Sequence, residues 1–534
     1  MRSDKKRDVK KRDSKKRDVL IALAMLMLLL GPVLLTPQVR AQGSDEADPG
    51  RVTITPFLVN SEEGFPVMAE WGTLIVPERR DDEDSGLIET PFLRFKTSAE
   101  KAGPPVVFID GGPKLEPSTL ADPSRFLPMV AIFGPTADVI ILEQRGSGQA
   151  RPRLDCADAY DITLSREAEQ GRLARLASAY SAACSRRWNT VDVDLAGYNA
   201  REMAGDIEDL RQALGYEQVR LLGAGFGTHV GLTMLKEYEA SVERAAFVLI
   251  QGPNQTLIVP DSVQLQLERL DARVIDDPII IQQIPDFIGL VAQVLIGLDQ
   301  NPVTVPVPDP TTGEAVNVTV GKLDLQRATS LSLAATDQRA LPARYYAMSR
   351  GDFAWLGEQA WVNRQNVGDG LLPPTVWCSS SATDLRFERT EEQAPNTILG
   401  GSINGVWPET CSSIGDVKLD ADFRSPVSAE TPVLLISGNM DSLTPDTNGD
   451  AVLVGLDNGQ HLVVDGASHD LVEEALPLIT PLLVEFMLGD PYATIEAPNL
   501  AIPFNLVPIP IVPVVVDGWQ GEYFNNRELL GVPA

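Results

Sequence analysis

The sequence predicts an α/β fold, a mostly parallel sheet flanked by helices, and three observations carry that expectation. From about residue 67, short apolar runs alternate with amphipathic segments. Several of the runs end in glycine-rich turns, among them "PPVVFIDGGP", "ADVIILEQRG" and "QVRLLGAG". The alternation breaks between residues 254 and 424 and then resumes, as expected of a segment inserted between core strands.

Taken in order, "WGTLIVP" and "TPFLRFK" read as an opening antiparallel pair, and "PPVVFIDGGP" and "ADVIILEQRG" as buried strands. In "NAREMAGDIEDLRQALG", Met203, Ile207, Leu210 and Leu214 share one helical face and Gly215 stops the helix. "QVRLLGAG" is a strand that turns into the apolar helix "THVGLTMLKEY", and "RAAFVLIQG" is the next strand. The first part of the core thus spans 42–253. Residues 254–424 read as a mostly helical cap with Pro-rich connections such as "NPVTVPVPDP". The second part of the core, 425–488, holds "TPVLLISGNMDSLTP", "GQHLVVDGASHD" and the closing helix "ALPLITPLLVEFML". A Pro-punctuated linker is expected over 489–516.

Residues 1–41 read as a secretory signal peptide rather than as part of the fold. A thrice-repeated basic unit, "KKRDVKKRDSKKRD", precedes the apolar run "VLIALAMLMLLLGPVLL", and Val39 and Ala41 offer a small-residue cleavage site. Contact with a membrane is expected only through this segment, because no later stretch is long and apolar enough to span one. The 534 residues are 44% hydrophobic and carry 74 acidic against 45 basic side chains, a formal charge of −29. Eleven of the basic residues lie before residue 42, so the remainder is more acidic still. Such a surface excludes nucleic acid as a partner. Four cysteines in an exported chain favour disulfides, Cys156 with Cys184 and Cys378 with Cys411, because each pair brackets a local segment. With no C-x-x-C and only three histidines, a zinc site is not expected.

The stretch "LLGAGFGTHVG" has the glycine spacing of the turn on which a hydrolase mounts its nucleophilic serine. Its central position is Gly225. In an α/β-hydrolase the nucleophile, an acid and a histidine follow successive strands in that chain order. Asp441 stands just past one later strand and His469 just past the next, so the order is met with the nucleophile position vacant. His229 reads as a helix-packing residue, His461 as a strand-start residue, Arg145 as an electrostatic brace between loops, and Ser147 as structural.

"WGTLIVP", "FIDGGP", "LEQRGSGQARPRLDC", "GDIEDLRQALG", "LLGAGFGTH" and "SGNMDSLTP" together resemble the secreted tripeptidyl-aminopeptidase and prolyl-aminopeptidase group of α/β-hydrolases, over roughly residues 67 to 488. The resemblance implies a serine exopeptidase that releases N-terminal residues from peptides, with a helical cap over the pocket and no metal or organic cofactor. It assigns Asp441 and His469 as acid and base, and the backbone N–H groups of Gly112 and Phe226 as the oxyanion hole. Three departures stand out. Gly225 occupies the serine position, Lys114 replaces a glycine in "GGPKLEPS", and Glu143 replaces an aspartate in "EQRG". Without Oγ no acyl-enzyme can form, and losing such a serine costs on the order of 10⁶ in turnover.

The final 18 residues, 517–534, resemble the opening strand of a protective-antigen-type β-sandwich module, which often binds carbohydrate. One strand cannot fold alone. Three functions are therefore expected: an impaired hydrolase that still binds a peptide or a small ester or amide, a working hydrolase that uses water or another nucleophile, or a surface protein that binds peptide or carbohydrate.

Overall fold

The computed structural model describes residues 48–61, 64–113, 118–156, 163–365 and 370–509. The expected signal segment, Lys114, the end of the expected linker and the expected second module lie outside them.

The fold opens on three antiparallel strands rather than two: β1 (Val52–Asn60), β2 (Pro66–Pro77) and β3 (Leu87–Phe95). Pro56 hides β1 from a sequence reading, yet β1 is the outermost strand of the sheet, where a proline is tolerated. Then come β4 (Gly103–Ile109), β5 (Ala137–Leu142), β6 (Val219–Ala224) and β7 (Val242–Val248). A hairpin of β8 (Val303–Pro308) and β9 (Ala315–Val320) stands apart in its own two-stranded sheet. The core resumes with β10 (Val433–Gly438) and β11 (Gly459–Val464).

Nine strands form one sheet in the order β1-β2-β3-β5-β4-β6-β7-β10-β11, and from β5 to β11 every neighbouring pair is parallel. Both faces of these strands are covered, so they read as continuous apolar runs. Val107, Leu221 and Leu435 face one core cluster with the helices Ala200–Ala213 and Phe226–Tyr238. Val106, Leu222 and Leu434 face the other, against the closing helix Leu471–Leu488. Asn199 caps the first of these helices by accepting the Glu202 N–H at 2.9 Å.

The segment between β7 and β10 builds its own apolar core from the helices Pro260–Asp276, Phe287–Gln300, Lys322–Ser332 and Leu341–Ser349 and from the hairpin. "NPVTVPVPDP" is a strand here, not a connection. Val305 and Val307 point inward while Thr304, Pro306 and Pro308 alternate outward, so the prolines sit where the ladder can spare them. Residues 489–509 pack back on the body: Ile502 N–H donates to Asp465 O at 2.9 Å, and Ile495 and Ile509 are buried.

Candidate active site

The parallel strands converge at their carboxyl ends, where open α/β sheets hold their ligands. β6 is central, with β4 and β7 on either side, and it ends at Ala224 in the turn of Gly225. The turn is fixed from both sides: Gly225 N–H donates to Val248 O at 2.9 Å, and Gly225 O accepts the Thr228 N–H at 2.9 Å. Gly225 adopts φ +54° and ψ −122°, a conformation that side-chain-bearing residues rarely take.

The three glycines of the turn differ in what they leave room for. A Cβ at Gly223 would stand 2.9 Å from Gly227 O, and one at Gly227 only 2.0 Å from Ile109 O. Those two glycines let the helix Phe226–Tyr238 close against β6 and β4. A Cβ at Gly225 would meet nothing nearer than His469 Nε2 at 3.9 Å and Gly111 Cα at 4.0 Å, which is ordinary contact. Only the central glycine has space for a side chain, and that space faces a histidine.

His469 follows β11 and Asp441 follows β10. His469 Nδ1–H donates to Asp441 Oδ2 at 2.8 Å, which leaves Nε2 directed at Gly225. Asp441 is fully buried and also accepts the N–H groups of Leu443 and Thr444 at 2.8 and 3.1 Å. Thr444, which the sequence did not single out, donates its hydroxyl to Asp441 Oδ2 at 2.5 Å and lies 3.0 Å from His469 Nδ1. It braces Asp441 and His469 together. Burial works against the imidazolium, but the Asp441 carboxylate, helped by Asp470 and Glu473, outweighs it and holds the His469 pKa above its ordinary value.

The Gly112 loop follows β4 on the other side of the turn. Asp110 Oδ1 accepts the Gly111 N–H at 2.9 Å, Arg125 donates to Asp110 Oδ2 at 2.6 Å, and Gln144 Nε2 donates to Asp110 O at 3.1 Å. Gln144 is a second residue the sequence reading passed over, although it lies inside "EQRG". Phe226 is the first residue of its helix, so its N–H has no acceptor within that helix. Glu143 shapes the neighbouring turn by accepting the N–H of Thr119 at 3.1 Å and the Ser147 hydroxyl at 3.0 Å.

The cap presses on both loops. Ala334 O accepts the His469 N–H at 2.6 Å, Ser330 O accepts the Ser442 hydroxyl at 2.9 Å, and Arg269 pairs with Asp446 at 3.0 Å. Arg145 is fully buried and donates to Asp206 Oδ2 at 2.8 Å and to Gly197 O at 2.7 Å, as a brace should.

Thr228 donates its hydroxyl to Gly225 O at 2.7 Å and is fully buried. The other two histidines also touch hydroxyls. His229 Nε2 lies 2.9 Å from Ser380 Oγ, and burial pushes its pKa down to about 4. His461 Nε2 lies 3.0 Å from Ser437 Oγ and its Nδ1 2.9 Å from Asp450 Oδ1. Ser380 and Ser437 are both fully buried, so both histidines are packing residues. Cys156–Cys184 and Cys378–Cys411 are disulfide-bonded. Among the described residues no group of His, Cys, Asp or Glu is arranged to hold a metal ion.

This sheet order, with its loops at the carboxyl ends of β4, β6, β10 and β11, is that of the α/β-hydrolase fold. The family model described as "alpha/beta hydrolase fold" matches residues 104–276. No curated protein matches the chain. Solved structures similar to it include an α/β-hydrolase enzyme from a Medee basin deep-sea metagenome library (12% identity, TM-score 0.32, 77% of this chain and 96% of that one). A meta-cleavage product hydrolase from Pseudomonas fluorescens is similar at 14% identity and TM-score 0.33, over 75% of this chain and 94% of that one. A thermophilic esterase from Thermogutta terrifontis is similar at 13% identity and TM-score 0.31, over 78% and 97%.

Proposed function

We propose that this chain is an exported, aminopeptidase-type α/β-hydrolase in which the nucleophilic oxygen alone has been removed, leaving a site that binds peptides or small esters and amides but does not cleave them. One observation carries the reading: a Cβ at Gly225 would make only ordinary contact, nearest to His469 Nε2 at 3.9 Å. In a serine-bearing site of this geometry Oγ attacks the carbonyl carbon and Nε2 takes its proton. The acid holds the imidazolium, and two backbone N–H groups receive the oxyanion. Here His469, Asp441 and the amides of Phe226 and Gly112 fill every role except the first. A ligand carbonyl still finds its donors, but no acyl bond to the protein can form. The two disulfides fit an oxidising compartment.

Turnover of unblocked peptidyl p-nitroanilides and of short-chain esters tests the proposal. The natural protein should be inert, and Gly225→Ser should turn over at least one of them, with the rate rising as His469 loses its proton. Turnover by the natural protein, surviving His469→Ala, would overturn the reading in favour of a hydrolase that works elsewhere.

A further inference from the structure

A guanidinium keeps its charge throughout the physiological pH range, so one taken out of water needs an anion beside it. Arg364 has one: it donates to Asp324 Oδ1 at 2.7 Å, and both side chains are almost wholly buried. Arg327, about one turn beyond Asp324 on the cap helix Lys322–Ser332, has none. Its Nε is sealed from solvent without a hydrogen-bond partner, and no carboxylate among the described residues pairs with its guanidinium. Asp324 is fully engaged elsewhere. Its Oδ1 receives Nε and Nη2 of Arg364, and its Oδ2 accepts the N–H groups of Ala168 and Gly321, each at 3.0 Å. Burial lowers the Arg327 pKa, against the pull of Asp324.

A space for a counter-charge adjoins this guanidinium. Between the helices Lys322–Ser332 and Ala354–Gln365 lies a chamber of about 20 Å³, room for one guest about the size of a water molecule. One helix contributes Leu323, Asp324 and Arg327 to its wall, and the other contributes Ala360, Asn363 and Arg364. The turn at Gly405 sets the position of the Arg327 head group. A Cβ there would stand 2.5 Å from Nη1 and 3.3 Å from Cζ, and the next residue, Val406, lines the chamber. Two guanidinium groups and one carboxylate therefore share the chamber wall, and one positive charge is left over.

We infer that this chamber between the two cap helices binds a single halide ion, chloride in ordinary media, with Arg327 as its charge partner. Size and charge together select it. A carboxylate, sulfate or phosphate carries several oxygens about a central atom and is too large for a space that admits one. A water molecule fits, but it brings no charge and leaves the buried guanidinium uncompensated. Leu173, Leu323 and Val406 make much of the remaining wall apolar, so the attraction between ion and guanidinium is weakly screened. The ion fastens the helix that carries Ser330, whose carbonyl accepts the Ser442 hydroxyl at 2.9 Å beside Asp441. Halide binding thus steadies the cap and, through it, the Asp441 turn.

Thermal unfolding of the full chain in sodium chloride, sodium bromide and sodium gluconate at equal ionic strength tests the inference, independently of any hydrolytic activity. Gluconate is too large to enter the chamber and serves as the reference. Chloride and bromide should each raise the midpoint by about 2 °C or more above gluconate, and the rise should saturate with concentration as a single site requires. Arg327→Met should abolish the difference between the salts. Arg386→Met, at an arginine that does not line the chamber, should keep it. Crystals of the natural protein grown in bromide keep the experiment decisive should the Arg327 variant not fold. Their anomalous difference map should show a peak in the chamber, in contact with the Arg327 guanidinium. Equal midpoints in the three salts, a difference that survives Arg327→Met, or a map without a peak in the chamber would overturn the inference.

Discussion

Gly225 holds φ +54° and ψ −122° with nothing in the way of a side chain, whereas Gly227 lies against the Ile109 carbonyl. The two substitutions to alanine should therefore fail differently. Gly225→Ala pays only backbone strain, about 1–3 kcal/mol. Gly227→Ala forces the helix off the sheet and should cost more, at least about 3 kcal/mol or loss of the fold. Denaturant unfolding of both variants checks the order. His469 gives a pH prediction of definite sign. Its folded pKa is raised, so its stabilisation is complete below the unfolded value near 6.5 and is lost as pH rises through the folded value. Asp441→Asn should lower the His469 midpoint measured by NMR and abolish that pH-dependent part of stability. A midpoint unchanged by the substitution would mean that the carboxylate does not set it. Gly225, Asp441 and His469 were legible because turn glycines and strand-end residues leave an ordered trace in the chain. Thr444 and Gln144 were not, since a threonine three residues after an aspartate, or a glutamine in a turn, marks nothing until the fold closes around it.

The elements that a sequence reading recovers are those whose apolar period is uninterrupted, the parallel strands and the helices Ala200–Ala213 and Phe226–Tyr238. It misses β1 and β8, each of which carries proline, because an edge strand or a lone hairpin permits what a central strand forbids. Elements also depend on polar braces that no period reveals. Arg145 and Asp206 join the turn after β5 to the helix Ala200–Ala213 in full burial, and Arg80 adds a second pair to Asp206 at 2.9 Å. Arg145→Met should destabilise the protein by about 3–5 kcal/mol, because it leaves the buried Asp206 carboxylate with Arg80 alone and takes the donor from the carbonyl groups of Pro77, Glu78 and Gly197. A cost under about 1 kcal/mol in thermal unfolding would show that the brace is dispensable.

Across the whole molecule, the Asp441 and His469 loops are held from below by the sheet and from above by the cap, through Ala334, Ser330 and Arg269. The insertion was legible as a break in the alternation of strands and helices. Its grip on the two loops was not, because those contacts join residues more than a hundred positions apart. Cys378–Cys411 closes a loop of 33 residues within the segment between β7 and β10, so Cys378→Ser with Cys411→Ser should cost about 2–4 kcal/mol. The proposed function rests on a side-chain oxygen absent from residue 225. Gly225→Ser treated with a fluorophosphonate and weighed intact by mass spectrometry measures it most directly. One adduct per chain is expected, mapped to residue 225, absent from the natural protein and lost again when His469→Ala is added. A folded Gly225→Ser variant that stays unlabelled, or a natural protein that takes up the probe, would contradict it.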